Sequence, residues 1–317
     1  MTPLDLRNLF DRSKGRYALV ATYEFDPLFF ERRMLTTKGF GEANRIVVLM
    51  DRGRYQELIN QGIKASGFNR RYLVLPIGRT RGVFHPKLYL VLGDKRVVGL
   101  VGSSNCTNGG IAYNMELCST FSASIGGGPP EPVATTVFRQ IYDAIRAFAS
   151  SASEIESTLD KQLFGRIEEE YSWLHRDVVD IERRGGIELL HSHGGPLWSQ
   201  VEERLSSLEV NKITVLSPFF DADLGFVERL RKRWRNTAFS VVAQPKYSNL
   251  PARELQRVFD EHGSGRLVAA TPAPGRRLHA KAIAFETDRG TYWLTGSANA
   301  TTAAMDHRPW FSVFGKR

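Results

Sequence analysis

The sequence predicts an α/β protein of two similar lobes related by a pseudo-twofold, with an active site at the interface of the lobes. Three observations lead there. The segment His85-Pro86-Lys87 is followed, after fourteen residues, by Gly102-Ser103-Ser104-Asn105, and His279-Ala280-Lys281 is followed, after the same fourteen, by Gly296-Ser297-Ala298-Asn299. The two histidines are 194 positions apart. Around them, short apolar runs alternate with polar helix-like stretches in the same order in both halves, the pattern of strands and helices layered on one another.

Residues 16–26 align with 211–221, each a β-like apolar run ending in an aromatic residue and an aspartate, Asp26 and Asp221. Helical rhythm follows at 27–35 and 222–234. The continuous apolar runs 44–51 and 238–245 read as strands covered on both faces. Polar helices are expected at 55–64 and 252–262, then strands at 71–76 and 266–271, closed by Pro76 and Pro272. Each HxK segment opens a hairpin, 85–92 with 96–101 and 279–286 with 291–295. Asp94 and Asp288, with Gly93 and Gly290, supply the turns. GSxN then leads into small-residue helix starts at 107–113 and 301–305, and closing strands are expected at 115–121 and 310–314.

The halves are separated by residues 122–186, which begin with a Gly/Pro-rich loop at 125–132. A helix at 133–150 places Val137, Ile141, Ile145 and Phe148 near one face. A second helix at 153–179 has Ser153 as N-cap and Glu156 three residues on. The expected organisation is therefore a first lobe at 1–121, a linker and helical insert at 122–186, and a second lobe at 187–317. The insert joins or covers the lobes and is a candidate surface for a protein partner.

The 317-residue chain is 42% hydrophobic and 24% charged, ordinary for a soluble globular protein. Its formal net charge of +9 favours an anionic partner, nucleic acid or an acidic membrane surface. No secretory signal and no run of bilayer-spanning length is visible, so stable membrane insertion is not expected. Two cysteines, Cys106 and Cys118, cannot build a disulfide framework, and Cys106 reads as a small buried hydrophobe. A cytoplasmic location fits these features.

The chemistry follows from residue types. On a strand, His85 and Lys87 point to one face, as do His279 and Lys281. A neutral imidazole is a nucleophile toward phosphorus and, protonated, a general acid near neutral pH. A lysine beside it meets a phosphoryl oxygen. Asn105 and Asn299 offer amide donors, and Ser103 and Ser297 offer hydroxyl and backbone donors where an anion is welcome. Doubling the set provides one histidine to attack a phosphate in line and one to protonate the leaving oxygen. No metal-ligand cluster accompanies these residues, so no metal and no cofactor is expected. His191-Ser192-His193 reads as a loop pair outside the repeat and is left out of the catalytic set.

The paired motif resembles the phospholipase D superfamily over residues 16–121 and 187–317. The resemblance implies a phospholipase D-like fold, a metal-independent reaction through a phosphohistidine, and His85 and His279 as nucleophile and general acid. It implies Lys87, Lys281, Asn105 and Asn299 as the phosphate-binding set, supported by Ser103 and Ser297. The residues alone do not decide which histidine attacks; relatives with two motifs point to His85. The family's aspartate five residues after the lysine is Leu92 in one half and Glu286 in the other. After GSxN the first half keeps Asn114 and Glu116, where the second has Arg308 and Trp310. Glu116 and Glu286 are therefore supporting residues of unequal half-sites.

Substrate choice rests on charge. Arg70, Arg71, Arg79 and Arg81 precede His85, Arg276 and Arg277 precede His279, and 229–235 is a basic run around Trp234. These favour a nuclease, with DNA ahead of RNA and Arg81 and Arg277 as substrate contacts; the resemblance suggests genome defence or restriction. One alternative is a phospholipase D or phosphatidyl transferase docking through apolar segments such as Pro218-Phe219-Phe220 or Val83-Phe84. Another is a catalytically silent nucleic-acid-binding or assembly module.

Overall fold

Strand β1, Gly15–Thr22, is apolar at nearly every position and almost wholly buried, as a central strand covered on both faces must be. It is followed by β2 (Arg45–Asp51), β3 (Leu73–Ile77), β4 (Lys87–Gly93), β5 (Arg96–Gly102) and β6 (Cys118–Ser124), which form one sheet in the order β3-β2-β1-β4-β5-β6. The second sheet uses β7 (Ile187–His191), β8 (Val210–Leu216), β9 (Ala238–Ala243), β10 (Arg266–Ala269), β11 (Ala282–Thr287), β12 (Gly290–Gly296) and β13 (Phe311–Lys316). Its order is β10-β9-β8-β11-β12-β13-β7. Apart from β7 at the edge, the two orders correspond strand for strand. In each sheet the first three strands pair in parallel and the HxK hairpin adds antiparallel strands to the first of them.

This computed structural model describes residues 5–78, 82–125, 130–150, 160–175, 187–191, 195–306 and 311–316. The chain forms two compact units, one of Met1–Val101, Asn105–Ile111 and Thr120–Arg184, the other of Gly102–Ser104, Ala112–Ser119 and Gly185–Arg317. Two short pieces that follow β5 in sequence thus belong with the second repeat.

In the first unit, helix Pro132–Ser150 buries Val137, Ile141, Ile145 and Phe148, the face expected from their spacing. It lies so close to β5 that a Cβ at Gly99 would come within 3.0 Å of the Ile141 Cδ1. The expected single helix at 153–179 is broken within the described residues. A π-helical turn at Asp160–Gly165, helix Arg166–Glu170 and a 3-10 turn at Ser172–His175 replace it, while Ser153 and Glu156 lie outside the described residues. Tyr171 leaves helical geometry at φ −119° and ψ 57°. The break lets Trp173 pack edge-on against Phe138 of the long helix, burial that a straight helix would forgo.

In the second unit, helix Leu197–Leu205 buries Leu197, Trp198, Val201 and Leu205, and Trp198 meets Phe226 and Trp234 edge-on. Neither this helix nor β7 stands out from the repeat in the sequence. His191 is the last residue of β7 rather than part of a loop, and His193 lies outside the described residues. No helix among the described residues is long and apolar enough to cross a membrane.

Candidate active site

His85 sits immediately before β4, not on it, because Pro86 has no N–H to give to a ladder and pairing starts at Lys87. Its backbone is fixed through Phe84, whose N–H donates to Asp51 Oδ2 at 2.8 Å. The Tyr23 ring lies 4.8 Å from the His85 ring, and Arg54 Nε donates to the Tyr23 hydroxyl at 2.8 Å. Lys87 is fully buried. Its Nζ stands 2.7 Å from His85 Nδ1 and 3.1 Å from the His85 carbonyl oxygen.

The second repeat is built on the same plan with different groups. His279 and Lys281 precede β11, and the His279 N–H goes to the Met115 carbonyl at 3.0 Å instead of to a sheet neighbour. Gln244 takes the part of Asp51, its Oε1 accepting the N–H of Leu278 at 2.6 Å. Phe219 stands edge-on to His279 at 6.3 Å, as Tyr23 stands by His85. Lys281 is 2% exposed and donates to the His279 carbonyl. Burial pushes the Lys281 ammonium down to about 7, against the nearby Glu116 carboxylate, which acts in the opposite direction.

Glu116 is the main difference. Its Oε1 is 2.7 Å from His279 Nδ1, and its other oxygen accepts from the Ser103 hydroxyl. Asn114 Nδ2 donates to Glu116 Oε1 at 3.3 Å. Ser103, expected to face a phosphate, is fully buried with its hydroxyl engaged by Glu116. The approach is tight: a Cβ on Gly102 would lie 2.7 Å from the Leu117 carbonyl oxygen, so glycine is required there. Ser297 is fully buried at the matching position after β12.

The two asparagines are held alike. Each accepts at its own carbonyl from the residue two further on, Thr107 and Thr301, both at 2.8 Å. The following N–H groups, of Cys106 and Ala300, donate to Thr22 Oγ1 and Ser217 Oγ, both at 3.1 Å. Asn105 Oδ1 and Asn299 Oδ1 are buried without a hydrogen-bond partner among the described residues. Buried polar atoms are normally paired, and the same amide oxygen is left without a partner in both repeats. Cys106 is buried and its thiol is pushed up by burial, as a structural cysteine should be.

Other expected residues fall elsewhere. Glu286 pairs with Lys212 at 2.7 Å on the sheet, and the equivalent Leu92 lies opposite Tyr17. Arg71 is a structural residue, not an outlying phosphate contact: it donates to the carbonyls of Gly41 and Ala43, both at 2.8 Å. In the basic run, Arg231 is buried on backbone carbonyls, Arg229 pairs with Asp306 and Lys232 pairs with Glu228, while Arg233 and Arg235 are exposed, Arg233 over the Trp234 ring. Arg277 is exposed, with its guanidinium 5.3 Å above the Tyr247 ring. Arg79, Arg81, Arg308 and Trp310 lie outside the described residues. Tyr23, Asp51 and Gln244 escaped the sequence reading. Only Thr22 and Ser217 carried a usable signal, since two hydroxyl residues occupy aligned positions.

No family model matches the sequence, and no curated protein matches it. Solved structures do. Yeast tyrosyl-DNA phosphodiesterase is similar over 99% of this chain and 85% of its own, at 11% identity and a TM-score of 0.61. A mutant of that enzyme is similar over the same shares, at 12% identity and a TM-score of 0.63. Polyphosphate kinase from Porphyromonas gingivalis is similar over 98% of this chain and 44% of its own, at 10% identity and a TM-score of 0.52. At these identities the likeness is one of fold. The chain has a phospholipase D-like fold: two sheets of corresponding strand order, each carrying one HxK and GSxN set.

Proposed function

We propose that this protein is a phosphodiesterase of the phospholipase D superfamily that cleaves nucleic acid, DNA ahead of RNA, without a metal. One observation carries the reading: the two histidines have opposite partners. The Lys87 ammonium stands against the His85 ring, and the Glu116 carboxylate against the His279 ring. An ammonium donates to a neutral imidazole and is repelled by a protonated one; a carboxylate offsets the charge of a ring that carries a proton. On that contrast we assign His85 as the nucleophile and His279 as the proton donor.

In the first step a His85 ring nitrogen forms a bond to phosphorus, the P–O bond to the leaving group breaks, and His279 gives that oxygen its proton. In the second, His279 takes a proton from water, the water oxygen attacks phosphorus, and the P–N bond breaks. Lys87, Lys281, Asn105 and Asn299 hold the phosphoryl oxygens. The yeast phosphodiesterase supports the reaction class by its fold and name; genome defence is the cellular setting we suggest.

The test is cleavage of labelled single- and double-stranded DNA and RNA in EDTA by the protein and by His85→Ala and His279→Ala, with mapping of any phosphorylated residue under alkaline conditions, where a phosphohistidine survives. Cleavage by the protein alone, with label trapped on His85, is the expected result. Undiminished cleavage by both variants refutes the phosphodiesterase reading, and label on His279 reverses the roles.

A further inference from the structure

Of the exposed large apolar side chains, Phe219 stands beside the second repeat's histidine, edge-on to His279, and Tyr247 lies under Arg277, two residues before that histidine. Phe219 is 42% exposed and Tyr247 53% exposed. All four belong to the second unit, on loops that leave the C-terminal ends of β8 and β9 or lead into β11.

These loops are fastened together. Asn249 ties the Tyr247 loop to the Phe219 loop: its N–H donates to the Pro218 carbonyl at 3.1 Å and its Oδ1 accepts the Phe220 N–H at 2.7 Å. Ser217 Oγ donates to the Phe219 carbonyl at 2.8 Å. Gln244, buried, ties the Tyr247 loop to the Arg277 loop through the Leu278 N–H and the Arg276 carbonyl. Lys246, next to Tyr247, is held at φ +69°, a conformation that costs energy for a residue with a Cβ. Apolar rings left free would collapse onto the surface; here an ordered hydrogen-bond frame holds two of them out in water beside a cation.

We propose that Phe219, Tyr247 and Arg277 form a stacking platform for unpaired nucleobases next to His279, so that the strand entering this side of the site is single-stranded. The inference rests on the nucleic-acid reading above. A ring presented to solvent stacks on any base with a free π-face, whatever its identity, and Arg277 adds a cation for the adjoining phosphate or for stacking. In a duplex those faces are already covered by neighbouring base pairs, so the platform selects against it.

The experiment is fluorescence-polarisation binding, with the protein and the variant both carrying His85→Ala so that no strand is cut, to one labelled oligonucleotide in three forms: intact single strand, the same strand with contiguous abasic sites, and duplex. The protein and Phe219→Ala/Tyr247→Ala are compared. Stacking on an aromatic is worth at least about fivefold in affinity per base, so the intact strand should bind about tenfold or more tighter than the abasic strand and tighter than the duplex. The double variant should bind intact and abasic strands within about twofold of each other. Equal affinity for intact and abasic strands in the protein with both rings in place overturns the platform, as does a preference that survives in the double variant. Loss of binding to phosphatidylglycerol vesicles in the variant, with oligonucleotide binding unchanged, also overturns it in favour of a lipid surface. Cleavage of the abasic strand by the protein with His85 in place needs no base, so it reports on the phosphodiesterase reading separately.

Discussion

Glu116 holds the His279 ring at Nδ1 from 2.7 Å, although 163 positions of chain separate them. The carboxylate is 7% exposed and is itself held by the Ser103 hydroxyl. Ser103, Glu116 and His279 thus form one relay, with the serine of the first GSxN segment at its base. The His85 ring stands instead with Lys87 and Tyr23. Two copies of one motif have become chemically distinct by the company their rings keep.

In the proposed reaction Glu116 positions His279, so Glu116→Gln should lower kcat by about a hundredfold, the lower end of what a well-placed general acid contributes. The pH dependence of kcat should change as well, because the amide no longer offsets charge on the His279 ring. Thermal melting beside the pH–rate profile checks this. A variant that merely melts earlier, with an unchanged profile in its folded range, counts against the role.

Lys281 makes a pH prediction with a definite sign. Its folded-state value is pushed down to about 7 from 10.5. Below about 7 the ammonium is charged in the folded chain and its burial cost is fully present. Between about 7 and 10.5 the unfolded chain binds the proton that the folded chain has given up, so stability should rise with pH across that window. Over the same range kcat/KM should fall, because the phosphate loses a cation. Lys281→Met should abolish the rise in chemical-denaturation stability together with most of the activity.

The orphaned asparagine oxygens predict a separation of stability from function. Asn105→Ala and Asn299→Ala each remove a buried unpartnered oxygen. Each should leave the melting temperature unchanged or raise it by about 2–4 °C. Each should lower kcat by about 10²–10³, as loss of one donor to a developing anion does. Calorimetry and a cleavage assay on the same preparations decide it, and a large fall in melting temperature with intact activity would refute it.

Glu286 should prove dispensable. Its partner Lys212 and Glu286 itself are 43% and 46% exposed, and such pairs contribute less than about 1 kcal/mol. Glu286→Ala should keep cleavage within about twofold and shift the denaturation midpoint little. A large loss of activity would place this glutamate in the catalytic machinery after all.

The strands of both sheets other than β7 were legible because strands write short apolar runs, and the repeat wrote them twice; the order in which they pair was not. Helix Ala252–His262 falls where its polar rhythm puts it. The register could also be checked against itself. The irregularity in the β1–β4 pairing, at Tyr17 and Leu92, recurs in the β8–β11 pairing at Lys212 and Glu286, the aligned positions. Leu92 and Glu286 differ because each matches its cross-strand neighbour, Tyr17 in one sheet and Lys212 in the other. The broken run at 160–175 was not legible, since its breaks serve aromatic packing on a helix distant in sequence. Arg71 and Arg231 misled for a related reason: composition counts their charge and cannot see the carbonyls that absorb it.

By itself the sequence determined the inventory: two histidines, two lysines and two asparagines in one spacing, on strands whose order repeats. Periodicity carries that much because burial is a local, residue-by-residue demand. The tertiary structure decided which group each histidine leans on, that Asp51 and Gln244 do one task, and that Phe219, Tyr247 and Arg277 gather on fastened loops. Those outcomes depend on hydrogen bonds closing between segments far apart in the chain, where direction and distance select the partner and no pattern along the sequence records the choice.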